Sequence, residues 1–134
     1  MREIKFRAWC KKHKYIYDVC SLRFIGDKVS ANDNSSCIGE EILMQYTGLK
    51  DENGKEIYEG DIVKFTERHY ENCNKKRLTS EETSIQIVVY DYYSFGLRGS
   101  LKDKDLRPFI WALSFDYKIE VIGNIYEDQK LLEF

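Results

Sequence analysis

Proline is nearly absent. Pro108 is the single one in a chain of 134 residues, so elsewhere no ring interrupts an extended backbone, and Pro108 itself suits the start of a strand. No apolar run approaches the roughly 20 residues of a membrane-spanning helix. The opening "MREIKFRAW" also lacks the uninterrupted apolar core of a signal peptide, so a cytoplasmic location with no membrane contact is expected. The four cysteines, Cys10, Cys20, Cys37 and Cys73, form no C-x-x-C pair, and in a reducing compartment free thiols without a disulfide are expected. Neither charge sign dominates, since 21 Lys and Arg against 23 Asp and Glu leave a net charge of -2. That balance argues against coating nucleic acid by bulk electrostatics and leaves only a local basic patch. The glycines are scattered and form neither a Walker nor a dinucleotide pattern, and no nucleophile elbow is present. A non-catalytic protein without a cofactor is expected.

What the chain does hold is material for a core and a solvated surface: 43% of its residues are apolar and 33% charged, the balance of an ordinary folded chain. Its length fits a single domain, residues 1–134, and its patterning predicts a mainly β one. From Glu3 to Trp9 the residues alternate, with Ile4, Phe6 and Ala8 on one face and Lys5, Arg7 and Trp9 on the other. Tyr15 to Val19 would complete a first hairpin, and "LRFIGDKVSA" a second about Gly26-Asp27, a turn dipeptide. "NDNSSCIG" reads as loop, and Glu41 to Leu49 as strand. Residues 67–83, polar and carrying both charge signs, predict a long mobile surface loop. Ser84 to Tyr93 reads as strand, "LRGSLKDKDLR" as a connection, and "PFIWALSF" and "KIEVIGNIY" as closing strands. "EDQKLLEF" suits a short C-terminal helix that needs packing through Leu131 and Leu132.

The most ordered pattern is "YTGLKDENGKEIYEGDIVKF", residues 46–65. A two-residue turn at Asn53-Gly54 would set Asp51 against Glu56, like against like. A three-residue loop, Glu52-Asn53-Gly54, instead pairs Asp51 with Lys55, Lys50 with Glu56 and Leu49 with Ile57, so that every opposed pair agrees. The second register is expected, with Gly54 at positive φ because it carries no Cβ. Gly60-Asp61 then breaks the alternation, which predicts a bend. A carboxylate there, Asp61, is expected to accept backbone N–H groups and fix the turn.

Three blocks in order, "REIKFRAW", "MQYTGLKDENGKEIYEGDIV" and "EVIGNIYED", resemble the YopX family of small proteins found in bacteriophages and prophages. The resemblance implies a β-rich fold containing a small SH3-like barrel and a phage or prophage setting in a bacterial host cell. It implies no defined activity. Together with the strand pattern it suggests an N-terminal β portion at about 1–48 and a barrel portion at about 49–126. Cys10 stands where the family commonly has an acidic residue, so no role of that carboxylate is carried over.

Zinc could be held by Cys10 and His13 with His69 and Cys73, but no repeated ligand framework is present and no metal is expected. Lys5, Arg7, Trp9, Lys11, Lys12 and Lys14 cluster at the N-terminus, where cations could hold phosphates while an aromatic ring stacks on a base; a solvated strand face is the plainer alternative. Aromatic residues make up 14% of the chain, and Tyr58, Tyr90, Tyr92, Tyr93 and Tyr117 could form an interaction face. The favoured expectation is a binding or assembly module acting through protein contacts, self-association included. The alternative is a nucleic-acid-binding accessory protein using the basic N-terminal strand.

Overall fold

The computed structural model describes residues 2–32, 37, 39–71, 77–112 and 117–132. The chain is mainly β, as the alternation predicts. In order it forms β1 (Phe6–Cys10), β2 (Tyr15–Asp18), β3 (Leu22–Ile25), β4 (Lys28–Ala31), β5 (Glu41–Lys50), β6 (Glu56–Tyr58), β7 (Asp61–Tyr70), β8 (Leu78–Asp91), β9 (Ser94–Arg98), β10 (Arg107–Pro108) and β11 (Tyr117–Asn124). One antiparallel sheet runs β2-β1-β5-β6, a larger one β10-β9-β8-β7-β11, and β3 pairs with β4 alone. The larger sheet is curled into a half-barrel. The changeover between the two sheets falls at Glu59-Gly60, where Gly60 takes a φ of 82°. β5 is hydrogen-bonded to β1 from Cys10↔Glu41 to Phe6↔Gln45 and to β6 at Tyr46↔Tyr58 and Lys50↔Glu56.

The curled sheet closes on Ile57, Val63, Phe65, Val88, Leu97, Phe109 and Ile119, each worth about 1.5–3 kcal/mol of burial. A second buried set, Ala8, Cys10, Ala31, Cys37, Met44 and Tyr46, lies with the N-terminal sheet.

The central hairpin takes the three-residue loop. Asp51 N–H donates to Lys55 O at 2.8 Å, Gly54 N–H to Asp51 O at 3.0 Å, Gly54 sits at φ 81°, and Lys50 lies opposite Glu56. Beyond that pair the register slips, and Tyr46 faces Tyr58 because β5 bulges at Gly48, φ 88°. Asp51 does not offer its carboxylate to the Lys55 ammonium. Its Oδ1 accepts the N–H groups of Asn53 (2.9 Å) and Lys55 (2.8 Å), and its Oδ2 that of Val121 at 3.0 Å, so one side chain ties the turn to β11. Burial pushes this carboxyl upward, but the N–H groups of Val121, Lys55 and Asn53 outweigh it and hold the pKa below the ordinary aspartate value. A carboxyl lowered in the folded state stabilises the fold above its unfolded value, and that increment is lost as pH falls through the folded one. Asp51→Ala is therefore expected to cost about 1–3 kcal/mol at neutral pH. Urea unfolding at a series of pH values should show the gap to the wild-type chain closing in acid.

Four expectations are corrected. The polar stretch 67–83, expected as a loop, is strand over Glu67–Tyr70 and Leu78–Thr83, while residues 72–76 lie outside the described set. Strand periodicity is hidden there because both faces are polar. The ladder itself sets Arg68 opposite Glu81 and joins the hydroxyls of Thr66 and Thr83 at 3.1 Å. "PFIWALSF" is not a closing strand: Pro108 ends the two-residue β10 on the sheet edge, and a helical turn, α1 (Phe109–Ala112), follows because Phe109 drops into the core. The strand beside β8 is instead β9, whose "SFGLR" carries a glycine that masked it. The C-terminal helix is reduced to one 3-10 turn, Gln129–Leu132, with Leu131 and Leu132 half-buried. Finally, Cys10 and Cys37 form a disulfide across a separation of 27 residues, where free thiols were expected. Cys20 is free and exposed, and Cys73 lies outside the described residues. No helix among the described residues is long and apolar enough to cross a membrane.

Candidate functional site

The alternation of β1 aims Arg7 at the start of β7. Its guanidinium donates to Asp61 Oδ1 and to Glu59 O at 3.4 Å, with its carbon 4.7 Å from the centre of the Tyr58 ring. Asp61 Oδ2 accepts the Tyr58 N–H at 2.8 Å. Both side chains are withdrawn from water, Arg7 to 13% and Asp61 to 1% exposure. Burial holds the Asp61 carboxyl above the ordinary carboxylate range, with Arg7 and the Tyr58 N–H pulling against it. Burial likewise raises Glu59, against the pull of the Gln45 N–H it accepts. The bend expected of Gly60-Asp61 is thus present, and Asp61 accepts a backbone N–H as expected. It also anchors one sheet to the other through Arg7.

This junction absorbs half of the expected basic face. Lys5 lies 3.0 Å from Glu3 and 3.1 Å from Glu56, and those carboxylates raise its pKa. Trp9 is stacked on Tyr126, with ring centres 5.5 Å apart and planes 18° apart. Lys11, Lys12 and Lys14 are exposed in the β1–β2 turn, away from Arg7. Lys14 and Trp9 do border an open cleft of about 760 Å³, but Glu127 and Asp128 share it with Lys130, and Asp128 accepts the Asn124 N–H. The six residues do not make one cationic surface.

The metal reading also divides. Cys10 is in the disulfide and cannot join His13 as a thiolate ligand. His69 has carboxylates beside it, since Glu67, His69 and Glu82 place possible ligand atoms within 4.8 Å of one another. Arg107 already occupies Glu67, so the charge there is partly balanced within the chain.

The aromatic reading fares differently. Tyr58 lies beneath Arg7 and Tyr117 against Phe65, both half-buried. Tyr90, Tyr92 and Tyr93 instead gather at the β8–β9 turn, exposed to 54%, 65% and 97%. The turn between Asp91 and Ser94, which lie opposite one another, puts both of its central residues at positive φ, Tyr92 at 48° and Tyr93 at 64°. A two-residue hairpin loop of this kind favours Asn-Gly, and a left-handed conformation costs a residue with a side chain roughly 1–2 kcal/mol. Asp91 holds the turn in place, accepting the Tyr92 N–H at 2.9 Å and pairing with Arg98 at 2.8 Å; Arg98, then the Tyr92 N–H, keep its pKa low. Sequence reasoning picked out these tyrosines and missed the strain, because no glycine marks the turn.

A family model described as "YopX protein" matches residues 5–133. Among solved structures, protein EF1440 from Enterococcus faecalis superposes with a TM-score of 0.57 at 24% identity, over 99% of this chain and 100% of that one. Protein yopX from Bacillus subtilis superposes with a TM-score of 0.56 at 22% identity, over 99% and 100%. At these identities the likeness is one of fold alone. No curated protein sequence matches.

Proposed function

This chain belongs to the YopX family, and on that premise we propose that it is a non-catalytic binding module, engaging a protein partner through the Tyr90, Tyr92 and Tyr93 tip. One observation carries the reading. Two adjacent tyrosines are held at positive φ on an exposed turn, a conformation that costs stability and serves no core. Tyrosines lose little entropy on binding and present a large apolar face with a polar end. A phage or prophage setting in the bacterial cytoplasm completes the proposal, on the family resemblance.

The test replaces Tyr92 with Asn and Tyr93 with Gly. The double variant should unfold at higher denaturant, gaining about 1–3 kcal/mol from relieved strain. In affinity capture from infected or lysogenic cells it should lose the partner that the wild-type chain retains. A variant that is less stable, or that retains the partner, would show the tip to be a structural turn.

A further inference from the structure

β8 is far longer than the strand beside it. β9 pairs only with Ile87–Asp91, whereas Leu78–Ile87 are paired with β7 on the other side. No strand among the described residues pairs with the β9-side edge from Leu78 to Gln86, a stretch of about 30 Å at strand spacing. Among the described residues, no loop backbone hydrogen bond reaches Leu78–Gln86. Where this edge meets β9 a groove of about 490 Å³ opens between Thr83, Ser84 and Ile85 on one side and Leu101, Lys102 and Leu132 on the other, with Lys102 at the β9 end, away from Glu81 and Glu82 in sequence position along the edge. Leu101 is 60% exposed.

We propose that this edge is a strand-addition site for an extended basic segment of another protein, with lysine or arginine opposite Glu81 and Glu82 and an aliphatic side chain opposite Ile85. An open edge supplies main-chain donors and acceptors, and alternate side chains supply selectivity. Charge selects the occupant. The edge "LTSEETSIQ", residues 78–86, carries two acids and no cation. A second copy using the whole edge would pair antiparallel about Glu82 and set Glu82 directly against its own counterpart, a destabilising opposition of like charges. A basic strand removes that penalty. Across the ladder Glu81 already faces Arg68, whereas Glu82 faces Glu67, itself joined to Arg107, so Glu82 is the acid left without a cation directly opposite. Glu81 and Ile85 lie four residues apart and so on one face of β8, which places the partner's cation and aliphatic residue at the same spacing. The proposal is independent of the tyrosine tip.

The probes are blocked peptides of about nine residues, alternating valine and threonine with one leucine, carrying either two lysines or two glutamates at the centre. The full-length chain should bind the lysine peptide about tenfold tighter, with slowed amide exchange confined to residues 78–86 and their neighbours. The Glu81→Lys, Glu82→Lys variant should reverse the preference, while the Tyr92→Asn, Tyr93→Gly variant should leave it unchanged. Unaltered exchange along this edge at saturating peptide, a preference that survives charge reversal, or a homodimer protecting the same amides would overturn the proposal.

Discussion

Asp61→Ala is expected to lower the unfolding free energy by about 3–5 kcal/mol, measured by urea denaturation at neutral pH. The reason is what it leaves behind. Arg7 has a side chain only 13% exposed, and its Nε has no hydrogen-bond partner among the described residues, so removing Asp61 strands a buried cation. The Tyr58 N–H loses its acceptor as well. A buried ion pair often contributes little over a well-packed apolar substitute, because desolvating both charges offsets their attraction. That difference supplies a second, sharper expectation. Arg7→Met combined with Asp61→Leu should be more stable than Asp61→Ala alone, with a coupling in the double-mutant cycle of about 2–3 kcal/mol. The residual deficit would report the unsatisfied Tyr58 N–H. Asp61→Ala within about 1 kcal/mol of wild type, inside the ordinary spread of surface changes, would show that the two sheets do not depend on this contact.

The parts of the fold readable in the sequence are those decided locally. Asn53-Gly54 and the charges flanking it specify the central loop because turn chemistry and cross-strand pairing act within ten or so residues. Gly26-Asp27 marks the β3–β4 hairpin for the same reason. The failures share one cause, since each depended on what tertiary structure places next to a residue. Lys5 and Arg7 read as a cationic face because nothing in "REIKFRAW" reveals that Glu56 and Asp61, more than fifty positions away, will meet them. The β7–β8 arm read as loop because Arg68, Glu81 and the paired threonines give no apolar alternation, although the ladder they continue begins on Ile62 and Ile87. Of the five tyrosines singled out, Tyr58 and Tyr117 pack inward and Tyr90, Tyr92 and Tyr93 do not, and composition cannot make that division. Positive φ at Tyr92 and Tyr93 is the least legible feature, because it runs against what those residue types prefer.

Replacing Cys10 and Cys37 with alanine is expected to cost about 3–4 kcal/mol. The bridge spans 27 positions that include β2, β3 and β4, and opening it returns the entropy of that loop to the unfolded chain. Both cysteines are fully buried. The bridge closes where β1 ends, beside the Glu40 N–H bonded to Cys37 O at 2.8 Å and the Lys11 N–H bonded to Glu40 O at 2.7 Å. The lost stability should therefore be local. Amides in β1, β2 and the start of β5 should exchange faster in the variant, while those of β7, β8 and β9, which contribute Val63, Phe65, Val88 and Leu97 to a separate core cluster, should keep most of their protection. Denaturant curves of the wild-type chain with reductant should shift to meet the variant's curve. Alkylation of the denatured, unreduced chain should leave Cys10 and Cys37 unmodified while labelling Cys20. Labelling of Cys10 and Cys37 under those conditions would refute the bridge. If β8 and β9 lost protection equally, the two sheets would unfold as one unit, and neither the tyrosine tip nor the open β8 edge could be studied apart from the N-terminal sheet.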